Sequence, residues 1–109
     1  MPVVAWLIFV AAAVLEVAGD AVVRTGLRSS RLAVIAVGMV MLGGYGLVVN
    51  TLTWDFSRLL GVYVAVFALV SVLCGRFVFG ENVLASTWIG LAIIVAGALV
   101  IQFGARFSG

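Results

Sequence analysis

The sequence predicts an all-α integral membrane protein with four transmembrane helices. Three observations predict this class: 66% of the 109 residues are hydrophobic, only 9% are charged, and the mean hydropathy is +1.39. A water-soluble domain of this size needs far more polar surface, so the chain is adapted to lipid as its solvent. Each of four apolar stretches is close to the ~20 residues that a helix needs to cross a hydrocarbon core of ~30 Å. We predict helices at residues 3–23, 32–52, 59–79 and 84–103.

The four stretches follow one another with short polar segments between them. The first has no basic residue ahead of its apolar core and runs on into Glu16 and Asp20, so we interpret it as a retained helix and not as a secretory signal. The second is rich in glycine, which lets helices approach closely in lipid. The third follows "TWDFSR" and the fourth follows "GEN". Because these connections are too short for a soluble domain, we predict one four-helix domain over residues 1–109.

Glu16, Asp20 and Arg24 share one face of the first predicted helix, since residues four apart drift little around a helix. Glu16 lies deep in the apolar run, where a carboxylate is costly unless it is paired, wetted or protonated. We interpret it as a group that holds either a proton or a cation. Asp20 has two interpretations. It forms an ion pair with Arg24 that seats the helix end, or it shares protons with Glu16 and forms part of the access path.

One face of the third predicted helix carries Tyr63, Phe67 and Ser71, which recur every four residues. We expect this face to meet Glu16, because aromatic rings attract organic cations and a hydroxyl would hydrogen-bond the carboxylate. Ordinary helix packing is the alternative, and it is the favoured interpretation for Phe67. Tyr45 in the second helix is a further candidate for the same proton- and substrate-binding site.

Sequence motifs along the whole chain resemble those of the small multidrug resistance family, which belongs to the drug/metabolite transporter superfamily. The resemblance rests on "LEVAG" in helix one, the basic loop "LRSSRL", "FGENV" after helix three and "WIGLAIIVAGALVI" in helix four. It implies that Glu16 binds protons and substrate in mutually exclusive fashion, and that Gly90 and Gly97 lie in a dimer interface.

This chain is a divergent member by the same comparison. Helix three lacks the family's tryptophan-containing motif and the proline–glycine loop before it, and Asp20 stands where the family usually has an uncharged residue.

Composition argues against several other function classes. The chain has no histidine, a single cysteine and a net charge of only +2. We therefore expect no enzyme activity, no cofactor, no metal site and no nucleic-acid partner. Two acids four residues apart on one helix do not define a divalent-cation site.

The arginines give a weak topological signal. Positive charge divides four to two between the sides of the membrane, or two to two if Arg24 and Arg76 lie within helix ends. The two sets are Arg24, Arg28, Arg31 and Arg76 on one side, and Arg58 and Arg106 on the other. A weak bias permits both orientations in one membrane and hence an antiparallel dimer.

These observations together predict a proton-coupled exporter of the bacterial inner (plasma) membrane. Its expected partners are the lipid bilayer, protons, a small cationic or polar molecule, and a second copy of itself or a paralogue. The alternative is an accessory subunit or heterodimer half that transports nothing itself, such as a component of a lipid-linked sugar flippase. That alternative predicts tolerance of Glu16→Gln and co-purification with a different membrane protein.

Overall fold

The computed structural model describes residues 2–104, apart from the Pro2 side chain, and shows four α-helices in sequence. These are α1 (Pro2–Ser29), α2 (Leu32–Val49), α3 (Phe56–Phe77) and α4 (Ala85–Phe103). Each is long and apolar enough to cross a membrane. The all-α, four-helix fold class is therefore confirmed. Arg106, which was counted for topology, lies outside the described residues.

The first helix extends to Ser29, whereas the loss of hydrophobicity predicted an end at residue 23. Within these last turns two hydroxyls donate to the carbonyl four residues earlier. Thr25 Oγ1 bonds Ala21 at 2.9 Å, and Ser29 Oγ bonds Thr25 at 2.8 Å. Arg24 consequently lies inside the helix, and α1 is 28 residues long, or about 42 Å.

The second helix ends at Val49 and is shorter than predicted, with 18 residues or about 27 Å. Asn50 is its C-cap residue, and both its backbone N–H (3.2 Å) and its side-chain amide (2.8 Å) donate to the Gly46 carbonyl. Asparagine side chains compete in this way with continued helical hydrogen bonding. The third helix begins earlier than predicted, at Phe56, and takes in Arg58.

The chain divides into two helical hairpins, the first ending at Leu52 and the second beginning at Thr53. Each is described by itself, and the prediction of a single four-helix domain stays a prediction. In the first hairpin only Ser30 and Arg31 connect α1 to α2. Ser30 adopts a left-handed conformation with φ 56°, and the Arg31 N–H donates to the Gly26 carbonyl at 2.9 Å.

Glycines let α1 and α2 approach backbone to backbone. A Cβ at Gly26 would lie 2.8 Å from the Ile35 backbone nitrogen, and a Cβ at Gly38 would lie 2.8 Å from that of Val23. Further along the hairpin, a Cβ at Gly44 would lie 3.3 Å from the Leu15 side chain. These contacts set the antiparallel register, and they leave the first turns of α1 beyond the end of α2.

The second hairpin packs α3 against α4. Its buried residues are Leu59, Val62, Tyr63, Ala65, Gly75, Leu91 and Ala98. Arg58 in the first turn of α3 reaches Gln102 near the end of α4, donating through Nε and Nη2 to Oε1 at 3.2 and 3.1 Å. The guanidinium also lies 4.2 Å from the centre of the Trp54 ring. The Arg58 side chain therefore links the start of α3 to the end of α4.

Candidate functional site

Glu16 lies midway along α1, about 20 Å from either end of the helix. Its side chain is half-buried. The residue before it, Leu15, packs against Gly44 of α2 at the contact described above. The sequence therefore places a carboxylate beside the contact between the two helices and far from the ends of α1.

Tyr45 of α2 is one predicted site residue that the structure brings near Glu16. It follows Gly44 directly, is half-buried, and its hydroxyl interacts electrostatically with the Glu16 carboxylate. A phenol is suited to such a position because its ring packs in apolar surroundings while its hydroxyl reaches a polar group. The first hairpin thus holds two of the predicted site residues together, and their binding of protons or substrate stays a prediction.

Asp20 and Arg24 are both exposed on α1 in the part of the chain that the structure describes, and no ion pair joins them there. The two interpretations of Asp20, as the partner of Arg24 and as a residue that shares protons with Glu16, both stay predictions. Asp20 lies one turn from Glu16 towards the end of the helix.

The aromatic face predicted on α3 forms within the second hairpin. Tyr63 is only 3% exposed, and its ring centre lies 6.4 Å from that of the half-buried Phe67. Ser71 donates its hydroxyl hydrogen to the Ala68 carbonyl at 2.9 Å, so that hydrogen is used within the helix. The expected contact of this face with Glu16 stays a prediction.

Gly90 and Gly97 lie on a surface of α4 with open space beside them. A Cβ at either position would meet no heavy atom of the described residues within 4 Å, and Gly97 is exposed. The buried residues of this helix, Leu91 and Ala98, lie elsewhere on its circumference. Neither glycine is needed for packing within the hairpin, which leaves this surface available for other contacts.

Two charged residues have more defined surroundings than the sequence indicated. Arg58 lies just before the predicted third helix, yet it belongs to α3 and bonds Gln102. Glu81 lies in the segment between α3 and α4 and lines a cavity. Gly75 and Gly80 before Glu81 were the available signal, since glycines mark tight turns and close contacts. Within the described residues no group of three or more acidic, cysteine or histidine side chains is placed to hold a metal.

Comparison with known proteins gives a consistent family. Residues 3–107 match the family described as "Uncharacterised BCR, YnfA/UPF0060 family". A "UPF0060 membrane protein" of Mycobacterium marinum is 37% identical over 103 residues, covering 92% of this chain and 93% of its own length. A protein of the same name from Saccharopolyspora erythraea is 39% identical, covering 91% of this chain and 92% of its own length. Another from Mycolicibacterium vanbaalenii is 35% identical, covering 92% of this chain and 94% of its own length.

No solved structure gives a significant match. The bacterial relatives are named membrane proteins, and the four helices found here are of membrane-spanning length. The chain is therefore a multi-pass integral membrane protein.

Proposed function

Because this chain belongs to the YnfA/UPF0060 family of membrane proteins, we propose that it is a transporter that exchanges protons for a small cationic or polar molecule. The family is related to the drug/metabolite transporter superfamily. Within that superfamily we assign the chain to a divergent branch close to the small multidrug resistance proteins. The motif "LEVAG" around Glu16 supports the assignment.

The position of Glu16 carries this proposal. Acidic residues at the centre of a membrane helix cost about 2.5–3.5 kcal/mol on insertion scales. A cost of this size is rarely retained in a membrane helix unless the residue serves ion or substrate movement. Tyr45 beside Glu16 adds a hydroxyl that would orient the carboxylate and hydrogen-bond a bound polar molecule.

In the proposed cycle a proton and the substrate compete for the Glu16 carboxylate. Protonation neutralises the carboxylate and releases a bound cation, and deprotonation prepares it for the next one. Asp20, exposed one turn away, extends the acidic path towards the end of α1.

The transporter is proposed to work as a homodimer, so that two copies of Glu16 serve one cavity. The open surface of α4 at Gly90 and Gly97 is the proposed contact between the copies, because small residues let membrane helices pack closely.

Proton release on ligand binding tests the proposal. Purified protein in weakly buffered detergent solution is titrated with amines, guanidinium compounds and quaternary cations, and released protons are measured with a pH dye. We expect release from the parent and from Asp55→Asn, a control that removes an exposed carboxylate at the start of α3. Glu16→Gln should release none, and Tyr45→Phe should show weaker binding with release retained.

Equal proton release from the parent and Glu16→Gln would show that another group binds the ligand, and the proposed mechanism would be wrong. Silence from both folded proteins would favour the accessory-subunit hypothesis, which predicts a second membrane protein as the partner.

A further inference from the structure

A cavity of about 320 Å³ lies in the second hairpin, where α3 ends and α4 begins. This volume is at the lower limit of the range in which small-molecule pockets occur, about 300–1,000 Å³. Four of its lining residues are polar, namely Ser71, Glu81, Asn82 and Thr87. Apolar side chains complete the wall. The cavity therefore combines hydrogen-bonding groups with apolar surface at one end of a membrane helix pair.

The backbone at Glu81 is held in position by a tight turn. Gly80 turns the chain with φ +66°, and the Glu81 N–H then donates to the Gly75 carbonyl at 2.9 Å. The carboxylate rests on the backbone of α3, because a Cβ at Gly75 would lie only 2.5 Å from Glu81 Oε1. Glycine at position 75 is thus what allows the carboxylate to lie where it does.

Among the described residues, Glu81 is also the one charged side chain that lines the cavity. The nearest basic residue in the sequence, Arg76, has its guanidinium 5.5 Å from the centre of the Phe77 ring. Across residues 2–104 no ion pair to Glu81 is formed. The start of α4 contributes about half a positive charge at most, which is less than the full negative charge of the carboxylate. The cavity therefore favours a cation.

We propose that this cavity binds a primary ammonium group, supplied by a free small amine or by the headgroup of an aminophospholipid. An ammonium has three N–H donors, which match the Glu81 carboxylate and the oxygens of Asn82 and Thr87. Val72 and Val83 would contact the attached carbon chain. The site is separate in sequence and chemistry from Glu16, so it stands or falls independently of proton-coupled transport.

Residue-resolved NMR tests the site directly. Isotope-labelled protein in phosphatidylcholine bicelles is titrated with n-butylammonium and, as an uncharged probe of similar size, with pentan-1-ol. We expect saturable shifts of the backbone amides of residues 80–87 with the amine alone. Glu81→Gln, which removes only the charge, should weaken this binding by about tenfold or more. Gly75→Ala should do the same, because the new methyl group displaces the flexible carboxylate.

Two controls separate this site from the rest of the protein. Asp55→Asn and Glu16→Gln should leave the butylammonium shifts at residues 80–87 unchanged. Loss of those shifts in Glu16→Gln, or their persistence in Glu81→Gln, would overturn the proposal. Equal shifts with pentan-1-ol would also overturn it, since the cavity would then bind apolar molecules without selecting charge.

Bicelles that contain phosphatidylethanolamine distinguish the two sources of the ammonium group. If the lipid alone produces the shifts and added butylammonium changes them no further, the headgroup occupies the site. If only the free amine produces them, the ligand is a soluble amine. Absence of the shifts with both would contradict the proposal.

Discussion

The close contact at Gly38 gives the sharpest test of how the first hairpin is held together. In Gly38→Ala the new Cβ would lie 2.8 Å from the Val23 backbone nitrogen and 3.0 Å from the Gly19 carbonyl oxygen. Ordinary contacts of this kind begin at 3.4 Å, and neither backbone atom can move aside without moving α1. The helices must therefore separate, or the variant must lose the packing between them.

A second glycine in α2 supplies the matched control. A Cβ at Gly43 would meet nothing within 4 Å among the described residues, so Gly43→Ala adds the same methyl group without a collision. Both variants gain the intrinsic helix preference of alanine over glycine, about 1 kcal/mol, and this gain cancels when they are compared. The remaining difference is the cost of overpacking, about 1–3 kcal/mol. Gly38→Ala should be the less stable variant by that amount.

The assay is reversible unfolding in mixed micelles with an increasing mole fraction of sodium dodecyl sulfate, followed by circular dichroism. The free energies of unfolding of both variants and the parent are compared at one detergent composition. If Gly38→Ala proves as stable as Gly43→Ala, the backbone contact between α1 and α2 is not present in the folded protein. The register inferred for the hairpin would then be wrong.

Two further substitutions test the second hairpin. Arg58→Lys keeps the charge but loses the guanidinium that donates twice to Gln102 and lies over the Trp54 ring. It should lower the free energy of unfolding by about 1 kcal/mol. The control Arg28→Lys, at an exposed position, should leave that free energy unchanged. If Arg58→Lys proves as stable as the parent in the same assay, the Arg58 contacts do not stabilise this hairpin. Gly97→Leu should leave the free energy of unfolding unchanged but abolish the proposed dimer in chemical cross-linking. Ala92→Leu, on another exposed part of α4, should leave the cross-linked dimer intact. If the dimer survives Gly97→Leu, the two copies contact each other elsewhere.

The fold was predictable because hydropathy alone identifies segments that must satisfy their backbone groups within lipid. Helix ends were less predictable, since they depend on hydrogen bonds that composition does not show. Thr25, Ser29 and Asn50 all donate to the carbonyl four residues earlier, yet α1 continues past Thr25 whereas α2 ends before Asn50. This type of hydrogen bond therefore does not by itself show where a helix ends.

One part of the candidate site was predictable from the sequence, because a carboxylate in the middle of a membrane helix has a high free-energy cost. That argument identified Glu16 without any knowledge of its neighbours. Tyr45 was a candidate from the sequence, but its position near Glu16 required the register of α1 against α2, which the close contacts of glycines set. Glu81 required a turn at Gly80 that folds the chain back onto α3, and no hydropathy pattern indicates such a turn.

The unequal lengths of α1 and α2 have a consequence for the choice of lipid. α2 alone is about 27 Å long and fits a bilayer of ordinary thickness, but the first turns of α1 continue past it with Val3, Val4 and Leu7 exposed. In a thin bilayer these side chains meet headgroups and water, at a cost of a fraction of a kcal/mol for each ångström of hydrophobic mismatch. Longer acyl chains cover them. We therefore expect the hairpin to be matched to a thicker membrane than its shorter helix requires, with a stability that rises with acyl-chain length until these side chains are covered.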